Sequence, residues 1–224
     1  MKVAAIGCIH NDIENLPNLL DKIFSYKPDI VLMVGDLTDI DFVKGFNAKD
    51  IASIFLEELR YYTQNILIVP GSWDKEIIDF WERENVLLHG KGKIIGNVGF
   101  YGFGGAKTPF NTPFEPEETE IEVGLKNAYS NIRDCEIKIQ ATHAPPYQTT
   151  VDIVLGKHVG SMAVRKIIEE LQPNVAVCSH IHESFGKDMI GNTIVINVGK
   201  LTDGYFGFIE IEKEKIIAEI ISLI

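Results

Sequence analysis

Cysteine is scarce in this sequence, long apolar runs are missing, and basic residues are outnumbered by acidic ones. The three cysteines, Cys8, Cys135 and Cys178, are an odd number with no pairing pattern, which argues against a disulfide framework and fits a reducing compartment. No stretch approaches the length of a membrane span, and the apolar start Val3-Ala4-Ala5-Ile6 is too short for a signal peptide. A cytoplasmic location without a membrane partner is therefore expected. Lys and Arg number 21 against 32 Asp and Glu, a formal net charge of −11. Such a field repels phosphate polymers, so general nucleic-acid binding is not expected. A small phosphate substrate remains compatible, because bound cations reverse the field inside a cleft. With no repeat, linker or low-complexity tract, residues 1–224 are expected to form one α/β domain. Homo-oligomerisation is left open.

What is present is an alternation of short apolar runs with amphipathic segments. Val3 to Cys8, Val31 to Val34, Ile66 to Val69, Ile137 to Thr142 and Val175 to Cys178 read as buried strands. Between them lie helical patterns. The first holds Leu16, Leu19, Leu20, Ile23 and Phe24, with Asn11 or Asp12 as its cap. The second holds Ile51, Ile54, Phe55 and Leu59, and a short one holds Ile77, Ile78 and Trp81. Further patterns start near Glu115 (Ile121, Leu125, Ala128, Ile132) and after Ser161 (Val164, Ile167, Ile168, Leu171). Alternation of this kind indicates βαβ units and a largely parallel sheet. Residues 86–105 are rich in glycine and β-formers and read as hairpins. The last forty or so residues read as a mainly antiparallel sheet.

The chemistry-bearing residues sit where the strands stop. Val31-Leu32-Met33-Val34 runs into Gly35-Asp36-Leu37-Thr38-Asp39, at the strand end where open α/β sheets keep their ligand crevice. A carboxylate has two oxygens and can bridge two cations, so Asp36 is the candidate centre of a paired-metal site. Other strands end at Cys8-Ile9-His10, Gly71-Ser72-Trp73-Asp74, His143, and Ser179-His180-Ile181-His182. Histidine and carboxylate are ligands that divalent transition metals favour. A His-x-His pair such as His180 and His182 can offer its rings to two neighbouring ions.

The order of these clusters resembles the calcineurin-like metallophosphoesterase superfamily over nearly the whole chain. That family reads Asp-x-His, Gly-Asp-x-x-Asp, Gly-Asn-His-Asp/Glu, a lone His, then Gly-His-x-His. The resemblance implies two mixed β-sheets packed face to face and flanked by helices. It also implies that His10, Asp36 and His182 hold one metal, and that Asp36, His143 and His180 hold the other. Two ions roughly 3.5–4 Å apart would share Asp36 and a hydroxide that attacks phosphorus in line. Asp36, His10 and Asp74 are the implied catalytic residues. The implied substrate is a phosphomonoester or phosphodiester, either a small phosphate ester or a nucleotide.

Three positions depart from the family pattern. Cys8 replaces the first-motif aspartate, and a thiolate ligand would favour zinc or iron over manganese. The other reading of Cys8 is a buried strand-end residue with no ligand role. Ser72 replaces an asparagine and offers a weaker donor to the second metal. Trp73 replaces a histidine, and an indole N–H cannot serve as a general acid, a loss of about 10²–10⁴-fold in rate. The expectation is a phosphoesterase of reduced or narrow activity. The alternative is an inactive binding or scaffold protein on the same fold. His158 reads as a surface or capping residue that could also form a pocket wall, and His89 has no assigned role.

Overall fold

The computed structural model describes residues 1–42, 44–212 and 215–224. The first half runs β1 (Lys2–Ile6), α1 (Leu16–Phe24), β2 (Ile30–Val34), α2 (Ala48–Tyr62), β3 (Ile66–Val69) and α3 (Ile78–Arg83). A hairpin of β4 (Lys91–Ile95) and β5 (Val98–Phe103) follows, then α4 (Glu118–Ser130) and β6 (Ile137–Thr142). Next come a small hairpin, β7 (Ile153–Val154) with β8 (Lys157–His158), α5 (Met162–Leu171) and β9 (Val175–Cys178). The chain closes with β10 (Gly186–Ile190), β11 (Thr193–Asn197), β12 (Tyr205–Ile211) and β13 (Ile216–Ser222).

Two mixed sheets carry the fold, in strand orders β13-β12-β1-β2-β3 and β10-β11-β9-β6-β5-β4. In the first sheet β1, β2 and β3 are parallel; in the second β11, β9, β6 and β5 are parallel. Antiparallel strands occupy three of the four edges, at β13, β10 and β4, while β3 is parallel. The central strands are apolar on both faces because both faces are covered. In β2, Ile30, Leu32 and Val34 face the second sheet, in one core with Phe100, Ile139, Val177 and Ile196. The alternate residues Val31 and Met33 pack under α1 and α2, against Leu20, Ile51 and Phe55. On the far side Ala176, Cys178 and Val195 pack under α4 and α5, against Leu125, Val164 and Ile168. The layers are thus helix, sheet, sheet, helix.

Several local expectations change. The first helix begins at Leu16 with Pro17 in its opening turn, and its cap Asn15 makes no side-chain hydrogen bond. Asn11 instead lies at φ +64° and donates through its side chain to the Asp39 and Asp41 carbonyls. Glu115 precedes α4 and gathers the 108–112 loop, accepting from Thr108 Oγ1, Thr112 N and Thr112 Oγ1 at 2.6, 2.6 and 2.9 Å. The C-terminal strands form no sheet of their own. One hairpin extends the second sheet, β11 pairing parallel with β9, and the other extends the first, β12 pairing antiparallel with β1. Alternation reveals a strand but not the neighbour that will take its edge. The 86–105 hairpin and the Ser161 cap stand as expected, Ser161 accepting from Val164 N at 3.1 Å.

Candidate metal centre

The C-terminal ends of β1, β2, β3, β6 and β9 meet at one end of the sandwich, and the loops leaving them interlock. The Cys8, Ile9 and His10 amides donate to the Gly35 and Asp36 carbonyls at 2.8–3.1 Å. Ser179 N donates to the His143 carbonyl at 3.1 Å. Close packing demands glycine here: a Cβ on Gly71 would lie 2.1 Å from Asp36 Oδ1. Cys8, His10, Asn11, Asp36 and His180 all have φ between +50° and +69°, a region non-glycine residues adopt only when their surroundings hold them there.

Asp36 is the hub, nearly fully buried. Its carboxylate accepts from Trp73 N at 3.0 Å and from Ser72 Oγ at 3.2–3.3 Å. His143 Nε2 stands 3.0 Å from Asp36 Oδ2, while His143 Nδ1 meets the Val34 carbonyl at 2.8 Å. A carbonyl only accepts, so Nδ1 carries the hydrogen and Nε2 turns its remaining valence toward the carboxylate. A proton or a cation at that point resolves the contact. Burial alone would lower the His143 pKa, but the Asp36 carboxylate outweighs it and raises it. Burial likewise works to raise the Asp36 pKa, and the His143 imidazole pulls it below the usual carboxylate range.

Around this hub the other donors gather. His10 Nε2 and His182 Nε2 are 3.4 Å apart. Asp39 Oδ2 lies 2.9 Å from His10 Nδ1 but too far off the ring's N–H line for a hydrogen bond. Burial, with His143 beside it, lowers the His180 pKa to about 3; burial and His10 lower that of His182 to about 4. Both rings are therefore neutral near pH 7, as metal ligation requires. Cys8 Sγ, His10 and His182 offer ligand atoms within 4.8 Å of one another, and so do Cys8 Sγ, Asp36 and His143. His180 belongs to neither group, although its ring centroid is 4.9 Å from that of His143. The donor set, one group with two imidazoles and one with an imidazole and a carboxylate, hinged on the buried thiol they share, suits divalent transition ions.

Asp74, implied as a catalytic residue, stands elsewhere than that role suggests. Asp74 is fully buried and accepts from Gly71 N, Thr38 N, Thr38 Oγ1 and Leu37 N at 2.8–3.3 Å. It ties two motif loops together and does not line the cleft. Asp12 accepts from the Asn15 side chain at 3.4 Å at the start of α1 and belongs to neither ligand group. His89 sits between sheets, and exposed His158 meets the buried Asp152 carboxylate at 2.7 Å.

The cleft over the ligands measures about 420 Å³, a size suited to a small molecule. His10, Asp36, Ser72, His180 and His182 form its floor, and the 107–112 loop and Val154 and Val159 beside the small hairpin form its walls. Two larger grooves, of about 620 and 640 Å³, lie elsewhere and contain neither histidine nor cysteine. Of the two walls the sequence points only to the hairpin side, through His158; its neighbour Val159 lines the cleft and His158 does not. Thr108-Pro109-Phe110 carries a loop signal only, and the two-residue strands β7 and β8 are too short to show alternation.

Comparison with known proteins agrees with this geometry. A family model described as calcineurin-like phosphoesterase matches residues 1–184. The uncharacterized protein MJ1162 of Methanocaldococcus jannaschii is 41% identical over 204 residues, 88% of this chain and 87% of its own. Among solved structures, TT1561 of Thermus thermophilus superposes with TM-score 0.70 at 20% identity, covering 97% of each chain. A dimetal phosphatase from Danio rerio, LOC 393393, superposes with TM-score 0.68 at 11% identity, covering 100% of this chain and 98% of its own. At those identities the two structures speak for the fold alone. Among the described residues no helix is long and apolar enough to cross a membrane.

Proposed function

We propose that this chain, which belongs to the calcineurin-like phosphoesterase family, hydrolyses a small phosphomonoester or phosphodiester with two divalent ions. The observation that carries the reading is the convergence of donors from loops of both sheets: Cys8, His10 and His182 form one group of ligand atoms, Cys8, Asp36 and His143 another, and the two share Cys8. Cys8, His10, Asp36 and His182 would hold one ion, and Asp36, Ser72, His143 and His180 the other. When bound, such ions activate water and neutralise charge on the phosphoryl oxygens.

The chain's own residues do the positioning. Ser72 and the Trp73 amide orient the Asp36 carboxylate, and the Val34 carbonyl fixes the His143 tautomer. Asp74 is a positioning residue, because its four bonds hold the loops that present Asp36 and Ser72. Cys8 would ligate as thiolate. Burial, then the Asp36 carboxylate, push its pKa far up, so ligation depends on a cation displacing the proton, and a thiolate favours zinc or iron. A second reading, a metal-holding protein without turnover, rests on the indole of Trp73 at the place of a proton donor.

The test is hydrolysis of aryl phosphate mono- and diesters by the purified protein loaded with manganese, zinc or iron. Metal-dependent turnover that falls at least about 10³-fold in Asp36→Asn supports the enzyme. Bound metal with no turnover, even in Trp73→His with Ser72→Asn, supports the second reading.

A further inference from the structure

The floor of the cleft is polar, and its wall is mainly apolar. Trp73, Pro109, Phe110, Val154 and Val159 line it, joined at the rim by Lys107 and Glu183, and Phe110 is 78% exposed on the 107–112 loop. The half-buried Trp73 and the exposed Phe110 side chain are poor company for a phosphate alone. They suit a flat apolar group attached to it. Trp73 cannot choose its position freely. Its amide is bonded to Asp36 and its carbonyl accepts from Thr38 Oγ1 at 3.2 Å, so its backbone is held next to the centre and its side chain lines the cleft. Among the described residues its indole N–H meets no protein acceptor. An indole N–H can donate a hydrogen bond to a departing oxygen but cannot release its proton.

Two independent facts therefore point to one kind of leaving group: it is aromatic because the wall is, and it departs without a proton because no titratable donor stands at position 73. We propose that the substrate is an aryl phosphoester, with the aromatic ring lying on the wall of Trp73 and Phe110 and joined to phosphorus through its oxygen. This deepens the phosphoesterase reading and rests on it. In the reaction a water oxygen bonds to phosphorus and the bond from phosphorus to the aryl oxygen breaks. The electron pair stays on the aryl oxide, which takes a proton from solvent afterwards. A phenol ionises near 10, so its oxide leaves unaided. An alkyl alcohol, ionising near water's value of about 15.7, needs a proton donor of the kind that position 73 no longer offers.

Binding and turnover test this separately. The metal-loaded protein is titrated with phenylphosphonate and with methylphosphonate, which cannot be hydrolysed. Phenylphosphonate is expected to bind at least about tenfold tighter, with most of that preference lost in Trp73→Ala and in Phe110→Ala and retained in Trp73→Phe. Equal affinities, or a preference indifferent to both residues, overturn the proposal whether or not any ester is cleaved. In turnover, phenyl phosphate is expected to outrun glycerol phosphate and nucleoside monophosphates by about 10²-fold or more, and Trp73→His to narrow the gap. Alkyl or nucleotide esters cleaved as fast as aryl ones also overturn it. Failure of every ester with every metal sinks the phosphoesterase reading instead, and leaves the phosphonate comparison to judge the wall.

Discussion

A thiol where the resembled family carries a carboxylate would, as a ligand, change the softness of the proposed centre without changing its place. Cys8 Sγ is fully buried and 3.1 Å from Ser179 Oγ, whose hydroxyl donates in turn to the Gly199 carbonyl at 2.8 Å. With its proton held tightly, the thiol is a weak donor until a cation displaces that proton. Loaded from an equimolar mixture of zinc, iron and manganese, the parent protein is expected to retain mainly zinc or iron. Cys8→Asp should shift the ratio toward manganese, and Cys8→Ala should weaken zinc binding at least about tenfold, both read by elemental analysis. Unchanged occupancy and identity in both variants would return Cys8 to the core. At this scale His10, Asp36, His143, His180 and His182 were legible because each follows an apolar run directly. Their supports were not. The Val34 carbonyl behind His143 is backbone, which carries no residue signal. Asn11 and Asp39 are polar residues in two separate loops, and no spacing rule reveals the left-handed turn at Asn11 that joins them.

Among the elements, the segment from Val86 to Gly90 does more than lead into β4. Ile68 N donates to the Val86 carbonyl and Leu88 N to the Ile68 carbonyl, both at 2.8 Å, while Gly90 N donates to the Gly102 carbonyl at 2.8 Å. The segment thus steps from the edge of the first sheet onto β5 of the second. His89 sits at the step, its Nδ1 accepting from Gly104 N at 3.0 Å and its ring 4.2 Å from that of Phe103. An accepting Nδ1 requires the neutral ring. Burial, then nearby Lys91, lower its pKa to about 4, whereas the unfolded chain takes up the proton near 6.5. Above pH 6.5 both states are neutral and the contribution is complete. As pH falls toward 4 only the unfolded state gains the proton, and stability drops by up to about 3 kcal/mol. Denaturant unfolding of metal-loaded protein between pH 4 and 7 should show this slope, and His89→Asn should remove about one proton from it. A slope unaltered by that substitution would place the pH dependence elsewhere. The sequence offered His89 only as a histidine after an apolar run, since a strand that changes sheets looks like any other.

Over the whole molecule, the helices and parallel strands were legible because each buries a patterned face, but the partition of the C-terminal hairpins was not. Each hairpin is self-sufficient in its pattern and could extend either sheet; only the shape of the assembled sandwich decides. The same assembly makes the metal centre a junction. Cys8 and Asp36 follow strands of the first sheet, while His143, His180 and His182 follow strands of the second. Ions held among them would bind the folded sandwich and not the unfolded chain, which stabilises the fold through mass action. At a free metal concentration of 100 times Kd the gain is about 2.7 kcal/mol. For a chain of this size that corresponds to a rise in Tm of about 5–10 °C. Chelator-treated protein should therefore melt lower by this margin, recover on addition of zinc, and respond little to zinc as Asp36→Asn. Magnesium, a hard ion, should restore less than zinc if the nitrogen and thiol donors set the affinity. A Tm indifferent to chelator, zinc and the Asp36 substitution would mean that hydrogen bonds and apolar packing hold the sheets together there, with the ligand groups adding nothing to the junction.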